Sequence, residues 1–458
     1  MKRFLIPLII IIGFCSSCAS IKTAAPSITE ETLNPPPAIT SNINIPTEID
    51  LAPYFKTAET STPAQYEGSD NPCEGLRYSY QFLRSPFNIY GNKDVVNVSF
   101  DGKYKIKGSF CAKCFSETCL LPTPTFSCGF GEPLRKIEIG YSSKIKLLPN
   151  YHLSSLTTLT KANAVDKCKI SFANIDITDR LMKEIKSQLE IIGKDIDKEM
   201  AAYDLKPYVK DIWNQLFEVQ KVEDYGYLNI NPTAVSVSNI GMIGSKLNLS
   251  IGLSCTPVFS LSYTTSNPTP VPNLSAPIQQ DGFKVYTDLI LNYKDLTDLI
   301  NKNIAGKTFK IKNKTVIINK VEINGIGNSK ISLRLDFKGS KKGIVYLIGT
   351  PVFDPEKNTI SMPDMNFDLK SKSVLLKMAN WLLNEKITEK IKMASVFEIS
   401  TLLDEARSGI SNQLNRNLTE DVAMKGGVKS IQIQNIFTLK EGLYLRILST
   451  GNISVQVK

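Results

Sequence analysis

Nine cysteines and a single histidine are the residues of this 458-residue chain that could do chemistry. Cys73, Cys111, Cys114, Cys119, Cys128 and Cys168 fall in one stretch, and the run Cys111-x2-Cys114-x4-Cys119-x8-Cys128 could in principle hold zinc through thiolates. The second pair lacks the two-residue knuckle spacing and no histidine stands near, which weakens a zinc site. The other reading is disulfides, with the pairing left open, since six cysteines allow many connectivities. Cys255 lies in an apolar run and reads as a buried free thiol. His152 has no readable partner for general-base work. The chain carries no G-x-S-x-G and no H-E-x-x-H, and neither a phosphate loop nor a dinucleotide fingerprint is present. Asp354-Pro355-Glu356-Lys357-Asn358 resembles a cation loop less than a hairpin turn. No catalytic residue, metal or cofactor is expected.

The N-terminus chooses between zinc and disulfides. Met1-Lys2-Arg3 precedes an apolar run over 4–14, too short to span a bilayer comfortably, and then Cys15-Ser16-Ser17-Cys18-Ala19-Ser20. This pattern resembles a bacterial lipoprotein signal, with acylation at Cys18; an ordinary secretory signal is the plainer alternative. Either route exports the chain to an oxidising compartment, where disulfides persist. Residues 19–41, with Pro35-Pro36-Pro37 and no periodicity, read as an extended spacer.

Lys+Arg exceeds Asp+Glu by 54 − 44, a net charge of +10, while 42% of residues are apolar and 21% charged. These values exclude disorder, collagen and a multi-span membrane protein. The charge is mostly lysine and evenly spread, without the arginine forks and aromatic interleaving of nucleic-acid readers, so no nucleic-acid partner is expected. The length allows about three domains or two large ones.

The elements that must position any site are written in one order twice. The first half, 42–260, opens with the alternating Ile43-Asn44-Ile45-Pro46-Thr47-Glu48-Ile49 and a short helix after Pro53. Alternating strands follow, then a long helix from an N-cap at Thr178. Its stripe Leu181, Ile185, Leu189, Ile192, Ile196 and Met200 repeats at helical spacing, and Pro207 breaks it. A Pro-rich linker, 261–280, carries Pro268, Pro270, Pro272 and Pro277. The second half, 281–458, opens with Phe283-Lys284-Val285-Tyr286 and a short helix stopped by Gly306. The alternating Ile331-Ser332-Leu333-Arg334-Leu335-Asp336-Phe337 follows, then a short helix near Leu375. A long helix over 387–418 is expected to carry Ile399, Leu402, Ala406, Ile410 and Leu414 on one face. Each half closes with a hairpin. The expected class is α+β, two tandem domains, each a curved antiparallel sheet wrapped along a long amphipathic helix. Trp213 and Trp381 are expected to anchor helices.

Two resemblances follow. The second half, through its opening strand and helix, the segment Gly343-Ile344-Val345-Tyr346-Leu347-Ile348-Gly349-Thr350-Pro351-Val352-Phe353-Asp354, its long helix and closing strands, resembles a tubular lipid-binding domain of the bactericidal/permeability-increasing class. The repeated order extends that resemblance to the first half. Over its mature length the chain also resembles an uncharacterised family of bacterial lipoproteins, through Cys73-Glu74-Gly75-Leu76-Arg77-Tyr78, Ser127-Cys128-Gly129, Asp176-Ile177-Thr178, Asn231-Pro232, the Gly343 segment and Asn380-Trp381-Leu382. The first resemblance implies an apolar tube between helix and sheet; the second implies kinship without an activity. The expectation is a lipid-anchored protein of the bacterial envelope, at the outer membrane. It would hold lipid or another apolar ligand in seams lined by Ile185, Leu189, Ile192 and Ile196 in the first half, and by Leu402, Ile410 and Leu414 in the second. The alternative is a structural protein with filled cores that binds a protein or glycan partner.

Overall fold

A computed structural model of the chain describes residues 20–29, 36–170, 175–222, 226–311, 313–383, 385, 389, 392–393 and 395–457, without the side chains of 170, 299, 303, 311 and 402. Cys18 and the signal segment expected over 1–18 lie outside the described residues, as does most of 384–394, where the second long helix was expected to begin.

The fold is sheet-rich, 51% strand to 21% helix. Its principal elements in chain order are β1 (Ile21–Lys22), β2 (Ser41–Asp50), α1 (Ala52–Ser61), β3 (Gln65–Asp70), β4 (Gly75–Arg84), β5 (Asn88–Lys93), β6 (Val95–Cys111), β7 (Cys114–Phe115) and β8 (Thr118–Cys119). They continue with β9 (Arg135–Leu147), β10 (Leu153–Ala164), α2 (Thr178–Ala202), α3 (Lys206–Gln215), β11 (Gly241–Gly244), β12 (Lys246–Cys255), β13 (Phe283–Asn292) and α4 (Tyr293–Ile304). The last are β14 (Lys314–Gly327), β15 (Lys330–Gly339), β16 (Gly343–Gly349), α5 (Leu369–Met378), α6 (Ser400–Leu414), β17 (Val422–Thr438) and β18 (Gly442–Val457).

The two halves of the chain meet in one curled sheet. β6 is 17 residues long and serves two partners along one edge: its first part pairs with β5 and its second with β4. Its other edge pairs with β9, and β9 with β10. From β5 the ladder passes through β11 and β12 to β2. There β2 takes strands from the far half: Asn42–Ile43 register with Lys284 and Phe283 of β13, and Thr47 to Ile49 run parallel to Val455 to Val457 of β18. β18 then pairs with β13 and β17. An opening strand from one half and a closing hairpin from the other therefore complete each other's hydrogen bonds.

A second sheet, β14–β15–β16, carries the C-terminal core. The alternation of Ile331, Leu333, Leu335 and Phe337 turns all four to one buried face against α4 and α5. α4 is fitted at a register shift in β14 between Ile318 and Lys320. The Asn301 side chain donates to the Val321 carbonyl at 2.8 Å and accepts from its amide at 2.8 Å, satisfying both backbone groups beyond the reach of the edge strand Thr308–Ile311. Gly306, at φ +81°, ends α4 as its spacing predicts.

Three expectations change. The helix expected over 387–418 is interrupted: the described residues 389 and 392–393 are helical, Phe397–Glu398 forms a strand against Thr359–Ser361, and a separate helix runs over Ser400–Leu414. It stops at Asn415, whose side chain bonds both the Ser411 carbonyl of the last turn and the Gly426 backbone. The expected spacer is docked in part. Ile21 is fully buried in the C-terminal core, and β1 adds a parallel strand to β16. The Thr23 hydroxyl donates to the Ile344 carbonyl at 3.1 Å. The Pro-rich linker lies on the first half: the Trp213 indole donates to the Thr269 carbonyl and the Tyr151 hydroxyl to that of Pro272, both at 2.8 Å. Trp213 thus anchors α3 to the linker.

A buried charge pair ties β13 to β18. Arg446 stands opposite Asp288 and forks its carboxylate, Nε to Oδ1 at 2.8 Å and Nη2 to Oδ2 at 3.0 Å. The Tyr444 hydroxyl donates to the same carboxylate, and Arg446 Nη2 reaches the Pro37 carbonyl at 2.8 Å. Removing one partner strands a buried charge, so Asp288→Ala should cost about 3–5 kcal/mol in urea unfolding, with much of it restored in Asp288→Ala/Arg446→Met. A loss under about 1 kcal/mol would contradict this account. Burial first, then the bond to Asp288, pushes the Tyr444 phenol up to about 12. The fold favours the neutral phenol, so its contribution is intact below the ordinary tyrosine range near pH 10 and is lost as pH rises through about 12. The urea midpoint should fall across that window, and less steeply in Tyr444→Phe.

Candidate functional site

The even-numbered residues of β6 share one face: Val96, Val98, Phe100, Gly102, Tyr104, Ile106, Gly108 and Phe110. Their partners extend that face on both sides. β4 places Leu76, Tyr78, Tyr80 and Phe82 opposite Phe110, Gly108, Ile106 and Tyr104, and β9 places Ile137, Ile139 and Tyr141 opposite Gly102, Phe100 and Val98. β3 adds Tyr66 opposite Phe82, and Gly68 opposite Tyr80. Two glycines make room for the rings. A Cβ at Gly102 would sit 2.3 Å from the Phe82 ring, and one at Gly68 would sit 2.7 Å from that of Tyr80. The result is a wide apolar face of which α2 covers one part.

Three disulfides brace this half: Cys73–Cys114, Cys111–Cys119 and Cys128–Cys168, with Cα separations of 5.5, 5.8 and 5.6 Å. All six candidate cysteines are paired, and Cys255 is a buried thiol that burial pushes up to about 12. Cys128 and Cys168 belong to the core with Tyr104, Ile106, Ile139 and Tyr141.

α2 begins on that core and leaves it. Leu181 and Met182 are buried, and Ile185 and Leu189 pack partly against the same cluster. The Tyr141 hydroxyl donates to the Leu189 carbonyl at 3.0 Å. Beyond this point the contact row continues through Gly193 and Asp197, four residues apart, and not through Ile192 and Ile196. Gly193 lies against Thr157 and the Tyr141 ring. Asp197 accepts from the Ser155 hydroxyl at 2.6 Å and from the Thr157 amide and hydroxyl at 3.0 and 2.7 Å. Burial would raise its pKa, but these bonds outweigh it and hold the carboxyl below the usual range. Ile192 and Ile196 are therefore 48% and 41% exposed. The reason is local: β10 offers hydroxyls here, and the helix turns a carboxylate to meet them.

What the sequence reading missed lies beside α2. Leu76, Tyr78 and Phe82 are only partly buried against the core, and Tyr66 and Tyr80 are exposed. The row lies alongside α2: the Arg180 guanidinium stands 4.4 Å from the centre of the Phe110 ring, opposite Leu76, and burial raises the Tyr78 phenol. The strict alternation of Leu76, Tyr78, Tyr80 and Phe82 was the available signal. On the paired strand, the buried Tyr104 hydroxyl has no hydrogen-bond partner among the described residues, nor has Nε of Arg135 opposite it.

The second seam is shallower. α6 rests on β17, where a Cβ on Gly426 would meet Leu414 at 3.3 Å. No described residue of α6 is buried; Ile410 is exposed, and the Leu402 side chain lies outside the described set. Ile410 and Leu414 do not belong to the C-terminal core, against which α4 and α5 pack.

Among the described residues, none of the candidate lining residues borders either of two open clefts. One, about 360 Å³, lies on the shared sheet between Thr47, Asn248 and Val455; the other, about 220 Å³, lies near Lys330 and Lys372. His152 Nδ1 lies 3.3 Å from the Ala201 carbonyl, and its Nε2 4.0 Å from Asp204. Asp354 caps a hairpin turn through the Glu356 and Lys357 amides. Among the described residues no cluster of three or more His, Cys, Asp or Glu could hold a metal.

Asp197→Ala should free the second half of α2. We expect a loss of about 1–3 kcal/mol and faster amide exchange from Gly193 to Ala202, with Leu181 to Ile185 still protected. Uniform exchange along α2 would contradict separate anchoring of its two halves.

Among solved structures the chain is similar to one titled "Crystal structure of lipopolysaccharide binding protein", at 11% identity and a TM-score of 0.27, over 92% of this chain and 99% of that one. It is also similar to P47 from Clostridium botulinum A2, at 12% identity and a TM-score of 0.23, over 90% and 97%. A comparison with curated proteins finds no match. One family covers nearly the whole described fold, residues 40–457, and the chain belongs to it: the family described as Domain of unknown function (DUF4403).

Proposed function

We propose that this protein is a lipid-anchored lipoprotein of the bacterial cell envelope, built of two tandem tubular lipid-binding units, that holds an acyl chain or similar apolar ligand and performs no chemistry of its own. The observation that carries the reading is the row Leu76, Tyr78, Tyr80 and Phe82, which continues the core face beside α2 yet stays partly open. An apolar surface continuous with a core and uncovered by the chain marks a binding site more often than chance exposure does. The ligand would lie along β4, with one wall from α2 at Ile185 and Leu189 and the other from Tyr66 and Tyr80. Tyr104 and Arg135 present donors without partners close by, which suits a ligand with an oxygen at one end.

A second reading, a structural protein with filled cores that binds an envelope partner, draws on the packed start of α2, where Leu181 and Met182 leave no room. The soluble chain from Ala19 onward, purified without detergent, separates the two by native mass spectrometry with organic extraction. We expect adducts of fatty acid or phospholipid mass. Tyr80→Asp and Leu189→Gln should weaken uptake of a fluorescent fatty acid at least about tenfold, near 1.4 kcal/mol. A clean apo mass together with no uptake of added lipid would move the assignment to the filled-core protein.

A further inference from the structure

We propose that the disulfide-braced hairpin β7–β8 is a membrane contact separate from the N-terminus: a protruding apolar tip, framed by lysines, that seats in the headgroup layer of an anionic bilayer. The inference is independent of the seam reading and takes from the proposed envelope location only the presence of a bilayer.

The hairpin is ordered. Cys114 and Phe115 pair with Cys119 and Thr118 across Ser116 and Glu117, whose φ angles of 44° and 67° are those of a primed two-residue turn. Cys111–Cys119 closes it, and Cys73–Cys114 fastens it to the start of β4. The Cys114 amide donates to Glu74 at 3.0 Å, and backbone bonds join Ala112 to Leu121 and Leu120 to Lys113. Such bracing makes it notable that Phe115, Leu120 and Leu121 are 70%, 53% and 59% exposed. A rigid segment does not leave large apolar groups in water for want of order; it presents them, and binding through it costs little further entropy.

The surroundings favour lipid as the occupant. From Lys103 to Lys136 there are six basic residues (103, 105, 107, 113, 135, 136) against two acidic (117, 132), and Glu74, which accepts from the Cys114 amide, adds a third acid, a net of 6 − 3 = +3. The ammonium groups of Lys105 and Lys107 lie 5.2 and 5.8 Å from the centre of the half-exposed Phe130 ring, so the lysine stripe of β6 is itself interleaved with an aromatic. Exposed apolar groups flanking the turn, with the lysines of β6 on the strand that leads to it, match the layering of an anionic membrane, acyl chains beneath phosphate. A protein partner would need a pocket shaped to the tip. The hairpin also lies at the end of β6 remote from its β5 junction, roughly 40 Å of strand beyond Ser99 at about 3.3 Å per residue.

Full-length protein carrying Phe115→Trp tests the tip directly, whatever the N-terminus does. Against phosphatidylglycerol/phosphatidylcholine vesicles with brominated acyl chains, we expect a blue shift and loss of most of the emission added by the new tryptophan. The effect should be much smaller with phosphatidylcholine alone, and should weaken with salt. Ile243→Trp, equally exposed but on β11, should be neither shifted nor quenched. Adding Leu120→Asp and Leu121→Asp to Phe115→Trp should abolish the quenching. An unquenched Phe115→Trp overturns the proposal and leaves the tip to a protein partner; equal quenching at both reporters overturns the tip as the point of contact.

Discussion

Everything in this molecule depends on strands from its two ends completing one sheet. β2 cannot satisfy its backbone within the first half alone; it needs β13 and β18 from the second. The Asp288–Arg446 pair locks those two strands in a single register, since a slip of one residue would leave a buried carboxylate facing no cation. With that register set, the β5–β11–β12 ladder fixes where β6 lies, and β6 fixes the aromatic row of β4. The site is thus held by an ion pair in another part of the fold.

Local order was legible in the sequence and long-range partnership was not. Period-two patterns revealed β15 and β2, Pro207 revealed the break between α2 and α3, and export predicted bridged cysteines. The pairing of β2 with β18 spans the whole chain, and no local pattern encodes it. The α2 stripe shows how a local rule can be half right. Spacing alone extends it through Ile192 and Ile196, but which row of a helix faces a sheet is settled by the sheet, and Ser155 and Thr157 call for Asp197. The aromatic row of β4 is written in the sequence as strict alternation, but alternation alone does not tell a covered face from an open one. The second seam differs for another reason: the helical periodicity runs straight through Phe397 and Glu398, which are claimed by a strand.

The two halves also bury their cores differently. The first relies on disulfides and one long helix over a broad face, which leaves part of that face uncovered. The second packs α4 and α5 closely on β14 to β16 and takes in Ile21 from the N-terminal segment. Such asymmetry concentrates any ligand capacity in the cysteine-rich half and leaves the other as the rigid foundation.

The docking of β1 changes how the molecule would stand. Ile21 is 21 − 18 = 3 positions beyond Cys18, and three residues reach at most about 10 Å. An acylated Cys18 would therefore hold the edge of the C-terminal sheet almost against the lipid, as a short hinge and not a stalk. The body could pivot about that point but could not drift from it, so tilt, not height, would decide what the far end can reach.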